Sequence, residues 1–231
     1  MTKKPIIVFD LDGTLVATAA DLVDALNYCL KKHGNNAISS EDLSKYIGRG
    51  GQTMISKALE AQGQPADAAT VEAMLKDFSD FYGRHIPGKT HYFNGLTEIF
   101  KTFLEQGYLL AVCTNKLEHL AKKLINALDE QLGIENPFAA ICGGDSFPWK
   151  KPDPRHIFST IERAGGDPHH ALMVGDSAPD IEAAHAAHLP SIAVSFGYSD
   201  IPVHQLHPTK IINSYSEFTP ELIKELMNKH H

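Results

Sequence analysis

The sequence predicts an α/β protein: a doubly wound, mainly parallel sheet with an all-helical insertion near its start. Three observations point there. Apolar runs of strand length alternate with amphipathic helical stretches over the last three-fifths of the chain. Polar clusters follow the carboxyl ends of those runs, where open α/β sheets gather their chemistry. The stretch between the first run and the next strand candidate contains only helical patterning.

Ile6-Ile7-Val8-Phe9 is a β-branched and aromatic run that reads as a buried strand, and Asp10-Leu11-Asp12-Gly13-Thr14 ends it in a tight turn. Thr18-Ala-Ala-Asp21 is patterned as a capping box, and Leu22, Val23, Leu26, Cys29 and Leu30 form an apolar stripe that Gly34 closes. Further helices are expected over 40–47, 52–62 and 67–86, so residues 16–88 form the insertion. The core then comprises 1–15 and 89–231, with Pro87-Gly88 and Asn94-Gly95 as turn signals at the return. Strands are expected over 108–113, 139–142, 171–174, 191–194 and 210–212. Thr219-Pro220 opens a last helix, proline being favoured at the first helical position.

Composition narrows the function. The net charge of −7, with acids spread along the chain, argues against general nucleic-acid binding, which needs a basic face. Cys29, Cys113 and Cys142 are far apart and form no CxxC pair, so neither a zinc site nor a disulfide framework is expected, and a reducing cytoplasm fits. The apolar run after Lys3-Lys4 is too short for a signal peptide, and no run has membrane-spanning length. No nucleic-acid or membrane partner is expected, and the protein is expected to act as a monomer or homodimer. His230-His231 have the look of a tag remnant and carry no weight. His185, His188, His169 and His170 lack an acidic or thiol partner at metal spacing and read as surface or helix-end residues. Phe78, Phe81 and Tyr82 read as packing residues of a long helix.

The polar clusters come in a fixed order: Asp10 and Asp12 after the first strand, Thr114-Asn115 after the second, Gly143-Gly144-Asp145 leading to Lys150-Lys151-Pro152-Asp153-Pro154 after the third, and Gly175-Asp176-Ser177-Ala178-Pro179-Asp180 after the fourth. In this order and spacing they resemble the motifs of the haloacid dehalogenase-like hydrolase superfamily, over nearly the whole chain. That resemblance implies a Rossmann-like core, with the helical insertion as a mobile cap. Within the superfamily the chain most resembles the phosphoglycolate phosphatase group, through Ile47-Gly48-Arg49-Gly50-Gly51 and Gly143-Gly144-Asp145-Ser146. It departs from that group in having Asn94-Gly95 where Pro-Gly is frequent.

A phosphate monoester is a dianion, and each carboxylate about 4 Å away would repel it by roughly 4 kcal/mol at an effective dielectric of ~20. A divalent cation among the carboxylates reverses the sign, and all-oxygen ligation selects Mg²⁺. Asp10 and Asp176 would supply carboxylate oxygens; the resemblance implies that Asp12 adds its backbone carbonyl. Asp180, one helical turn beyond Asp176, would orient the ligands from behind. Asp10 is the expected nucleophile, Asp12 the expected proton donor and acceptor, and Thr114 and Asn115 expected phosphate contacts. Lys151, directly before proline, is expected to neutralise the transferring group, and Lys150 to be solvated. Arg49 in the cap turn would meet a carboxylate at the substrate's other end. The expected reaction is hydrolysis of 2-phosphoglycolate or another small phosphate monoester through an aspartyl-phosphate. A mutase of the β-phosphoglucomutase type would use the same core, and intact Asp10, Asp12, Lys151 and Asp176 weigh against a non-catalytic binding protein.

Overall fold

The computed structural model describes residues 3–39, 46 and 50–229. The helix expected over 40–47 and the turn residue Arg49 fall outside these residues, apart from Tyr46, as do His230 and His231. Six strands form one wholly parallel sheet: β1 Lys4–Phe9, β2 Leu109–Cys113, β3 Ala140–Cys142, β4 Gly166–Gly175, β5 Ser191–Val194 and β6 Lys210–Ile212, in the order 3-2-1-4-5-6. The described helices are α1 Ala19–Lys32, α2 Gly51–Glu60, α3 Ala68–His85, α4 Leu96–Glu105, α5 Glu118–Leu132, α6 Pro154–Ala164, α7 Ala178–Ala186 and α8 Pro220–Lys229.

Strand periodicity divides the core between the two faces. Ile7 and Phe9 of β1 pack with Ile99, Phe100 and Phe103 of α4, Leu124 of α5 and Ile223 of α8. Ile6 and Val8 point the other way, into a cluster with Ile157 and Ile161 of α6 and Ala183 and Ala184 of α7. Helices thus cover both faces, which explains why the buried runs 6–9, 110–113, 171–174 and 191–194 are nearly continuously apolar. The strand order reverses at β1, whose neighbours are β2 and β4, so the crevice beyond its carboxyl end is a natural ligand site.

Between β1 and β2 in sequence, α1, α2 and α3 build a third cluster from Leu26, Leu30, Ile55, Leu59, Met74 and Phe78, which also takes in Leu120 of α5. Two local expectations need correction. The backbone of Thr18 is helical (φ −94°, ψ −7°) rather than extended, so its side chain makes no capping bond to α1. Its would-be partner Asp21 instead accepts the Lys89 N–H and, at 2.6 Å, the Thr90 hydroxyl, tying α1 to the returning chain. Strand β4 begins five residues before the apolar run 171–174, because Gly166 pairs with Lys4 across an irregularity in the ladder. Pairing with a neighbour extends that strand, not the local propensity of Asp167-Pro168-His169-His170.

Candidate active site

Four strand ends deliver the polar clusters to one edge. Asp10 continues the ladder past β1, its N–H donating to the Val174 carbonyl of β4 at 2.8 Å. The chain then turns through Gly13 at φ +83°, a conformation in which a side chain is strained. A Cβ there would also lie 2.3 Å from an oxygen of Asp176, so this glycine lets the β1 and β4 loops meet.

Lys151 is the hub. Its buried ammonium donates to Asp10 Oδ1 at 2.7 Å and to Asp180 Oδ1 at 2.6 Å. Asp180 uses its other oxygen to accept the N–H groups of Asp176 and Ser177 and the Ser177 hydroxyl, closing the first turn of α7 as the partner in a capping box. Both oxygens of Asp180 are therefore engaged. Asp176 accepts the Thr14 hydroxyl at 3.3 Å and the Tyr198 N–H at 2.6 Å.

Asp10, Asp176 and Asp180 are all buried, and each offers a carboxylate oxygen, the three lying within 4.8 Å of one another. Three carboxylates against the one ammonium of Lys151 leave excess negative charge in a dry place. Burial pushes the Asp10 carboxyl up to about 7; Lys151 opposes the shift, and Asp180 and Asp12 add to it. Burial likewise raises Asp176 well above the carboxylate range, with Asp180 and Asp10 contributing. Lys151 stays charged: burial works against its ammonium, but Asp10 and Asp180 outweigh that effect. A donor set made of oxygen, short of positive charge and clustered this tightly fits a hard divalent cation.

The Asp12 side chain points elsewhere. Both its oxygens accept from the ammonium of Lys116, at 2.9 and 3.1 Å. Lys116 is nearly buried and also lies 4.3 Å from the ring centroid of Tyr82 on α3. Sequence reasoning stopped at Thr114-Asn115 and missed this lysine; its place directly after them, at a strand end, is the signal that marks it. Thr114 is buried, and its hydroxyl oxygen accepts the Lys116 N–H at 3.2 Å. The Asn115 amide donates to the Lys151 carbonyl at 3.0 Å, binding the β2 and β3 loops together.

A cavity of about 170 Å³ lies between this edge and the helical insertion. Asp10, Asp12, Thr114, Asn115 and Lys116 line its floor, and Leu22, Gly50, Gln52, Met54, Phe78 and Tyr82 line its roof. Phe78 and Tyr82 thus pack in the insertion and also face the cavity, whereas Phe81 stacks on Tyr28 at 4.2 Å. Lys150 is exposed yet reaches the cavity's edge. The three cysteines are buried and unpaired, and among the described residues no helix is long and apolar enough to cross a membrane.

Fold and site together define a hydrolase built on strand-end carboxylates, and comparison with known sequences gives that class its name. The profile of the haloacid dehalogenase-like hydrolases matches residues 7–194, and the chain belongs to that family. More narrowly, it is 47% identical to the phosphoglycolate phosphatase of Mesorhizobium japonicum, over 97% of each chain. It is 42% identical to that of Agrobacterium fabrum, over 98% of this chain and 95% of the other. Among solved structures, a predicted phosphoglycolate phosphatase from Haemophilus somnus superposes with a TM-score of 0.81 at 29% identity, covering 94% of this chain and 97% of its own. The β-phosphoglucomutase of Clostridium difficile, 18% identical, superposes with a TM-score of 0.78 over 98% of each chain and shares the fold.

Proposed function

We propose that the protein is a Mg²⁺-dependent phosphomonoesterase acting on 2-phosphoglycolate, with a core of residues 1–15 and 89–231 and a cap of residues 16–88. The observation that carries this reading is the Asp10–Lys151–Asp180 chain of ion pairs, beside Asp176 and at the foot of a small cavity that Asp10 lines. The names of the relatives at 47% and 42% identity supply the substrate. The cavity supports the choice, since its volume and its apolar Leu22, Met54 and Phe78 roof suit a two-carbon acid better than a polyhydroxylated sugar.

Asp10 and Asp176 would hold the cation with their carboxylates, Asp12 through its backbone carbonyl, and Asp180 would orient the set from behind. When bound, the cation offsets the repulsion between phosphate dianion and carboxylates and keeps Asp10 ionised. A carboxylate oxygen of Asp10 attacks phosphorus in line, forming the Asp10–phosphorus bond as the ester oxygen leaves. Asp12, which takes a proton from solvent once it leaves its ion pair with Lys116, gives that proton to the leaving oxygen and releases glycolate as the alcohol. It then takes a proton from the water that attacks phosphorus and breaks the acyl phosphate, which regenerates Asp10. Lys151 stabilises charge on Asp10 and the transferring group, the Thr114 hydroxyl holds a phosphoryl oxygen, and Asn115 contributes from the same loop. Arg49, in the turn preceding Gly50, is a cap contact for the substrate's non-phosphate end.

Phosphate release from 2-phosphoglycolate tests this reading. Asp10→Asn should lower the rate at least about a thousandfold, because the amide is a poor nucleophile; near-normal turnover would remove Asp10 from that role. Chelation with EDTA should abolish wild-type activity and added Mg²⁺ restore it; activity indifferent to EDTA would overturn the metal assignment.

A further inference from the structure

We propose that Lys116 is the receptor for the substrate's carboxylate, and that in taking it Lys116 releases Asp12 to act on the leaving oxygen. The inference rests on the phosphomonoesterase reading above and adds to it a device for choosing substrates. In the structure the Lys116 ammonium binds both oxygens of Asp12, so the side chain that must meet the leaving oxygen is held by an ion pair. The pair is nearly buried, and Lys116 faces the cavity. A substrate carboxylate has the charge and shape of the group it displaces, so the ammonium exchanges one partner for another and is never left bare. A substrate without the carboxylate offers no such exchange: freeing Asp12 would then strand a buried cation without a partner.

Among the described residues, the surroundings favour Lys116 over the other cations at the cavity. Lys151 is committed to Asp10 and Asp180 at the phosphate end, and Lys150 is exposed. The Tyr82 ring lies on Lys116 from the cap side, and its buried hydroxyl has no well-formed hydrogen bond among the described residues. That hydroxyl is a second donor for a carboxylate arriving at Lys116. Because Tyr82 belongs to α3, the device operates only with the helical insertion seated on the core.

The test uses 3-phosphonopropanoate, which has a methylene where 2-phosphoglycolate has its ester oxygen. A crystal structure of the wild-type protein with this analogue and Mg²⁺ should place the carboxylate about 3 Å from Lys116 Nζ, with the Asp12 side chain freed. A carboxylate lodged elsewhere, with the Lys116–Asp12 pair intact, overturns the inference. In kinetics, Lys116→Gln should lower the ratio of kcat/KM for 2-phosphoglycolate over 2-hydroxyethyl phosphate at least about tenfold, mostly through the KM of the former. Equal losses on both substrates make Lys116 structural and leave the phosphomonoesterase reading intact. Failure of the wild-type enzyme to release phosphate from either compound would sink that reading itself, and the inference with it.

Discussion

Single side chains here are set by what burial does to charge. His156, on the first turns of α6, is fully buried with its ring edge-on to Phe147 at 5.8 Å, and neither ring nitrogen has a well-formed hydrogen bond. Burial, helped by the nearby Lys151 charge, pushes the imidazole down to about 4. The unfolded chain binds a proton near 6.5, so between these values it holds more protons than the folded protein. The stability tied to neutral His156 is therefore complete above about pH 6.5 and is lost as pH falls toward 4, with a slope of up to about 1.4 kcal/mol per pH unit. His156→Leu should flatten the fall in melting temperature between pH 7 and pH 5; an unchanged slope would show that other groups carry it. Lys151, also buried, behaves oppositely because its partners are carboxylates within 2.7 Å: a paired charge persists where an unpaired one is expelled.

At the scale of elements, the site depends on how closely loops approach one another. Gly50 is the N-cap of helix α2, and its φ of +87° and ψ of 164° lie in a region nearly confined to glycine. A Cβ there would come 2.9 Å from the Asn115 carbonyl oxygen on the β2 loop. Gly50→Ala should cost about 1–3 kcal/mol, read from the urea midpoint. It should also lower kcat/KM by displacing the cavity roof from Asn115. A variant as stable and as active as the parent would show that α2 can shift freely.

Across the whole molecule, the insertion and the sheet are joined by a few mixed contacts. Lys123 of α5 donates to the Gly83 carbonyl of α3 at 2.6 Å, Lys57 of α2 pairs with Asp200 at 3.2 Å, and the Ala19 N–H meets the Tyr198 hydroxyl at 3.2 Å. Leu120 is a buried apolar link: it sits on α5, is 4% exposed, packs with the α1–α3 cluster and lines the cavity. Leu120→Ala should destabilise the protein by about 2–5 kcal/mol in thermal unfolding, the usual cost of a buried leucine cavity. It should also raise KM, since the same side chain seats the cap. A drop in stability with KM unchanged would separate packing from closure.

Much of this was present in the chain itself. The runs at 191–194 and 210–212 match their strands, and Thr219-Pro220 opens α8, because apolar periodicity and terminal residues act locally. Asp10 and Asp176 were legible because each follows directly on a strand end, Asp180 because it lies in the first turn of the helix beyond, and Lys151 because it stands directly before proline in the loop after β3. Partners drawn from distant segments were not legible. Lys116 carries no motif of its own and becomes important only once the β1 and β2 loops place it on Asp12. The first five residues of β4 lack strand-like composition and extend only because Lys4 lies alongside. Thr18 and Asp21 have the spacing of a capping box, yet the chain returning at Lys89 and Thr90 claims the carboxylate. Sequence alone determined what local backbone preference and hydrophobic patterning can specify: the elements and the residue types at their ends. Tertiary structure decided which charge meets which, because Coulombic pairing depends on distances in space between residues up to 143 positions apart in the chain.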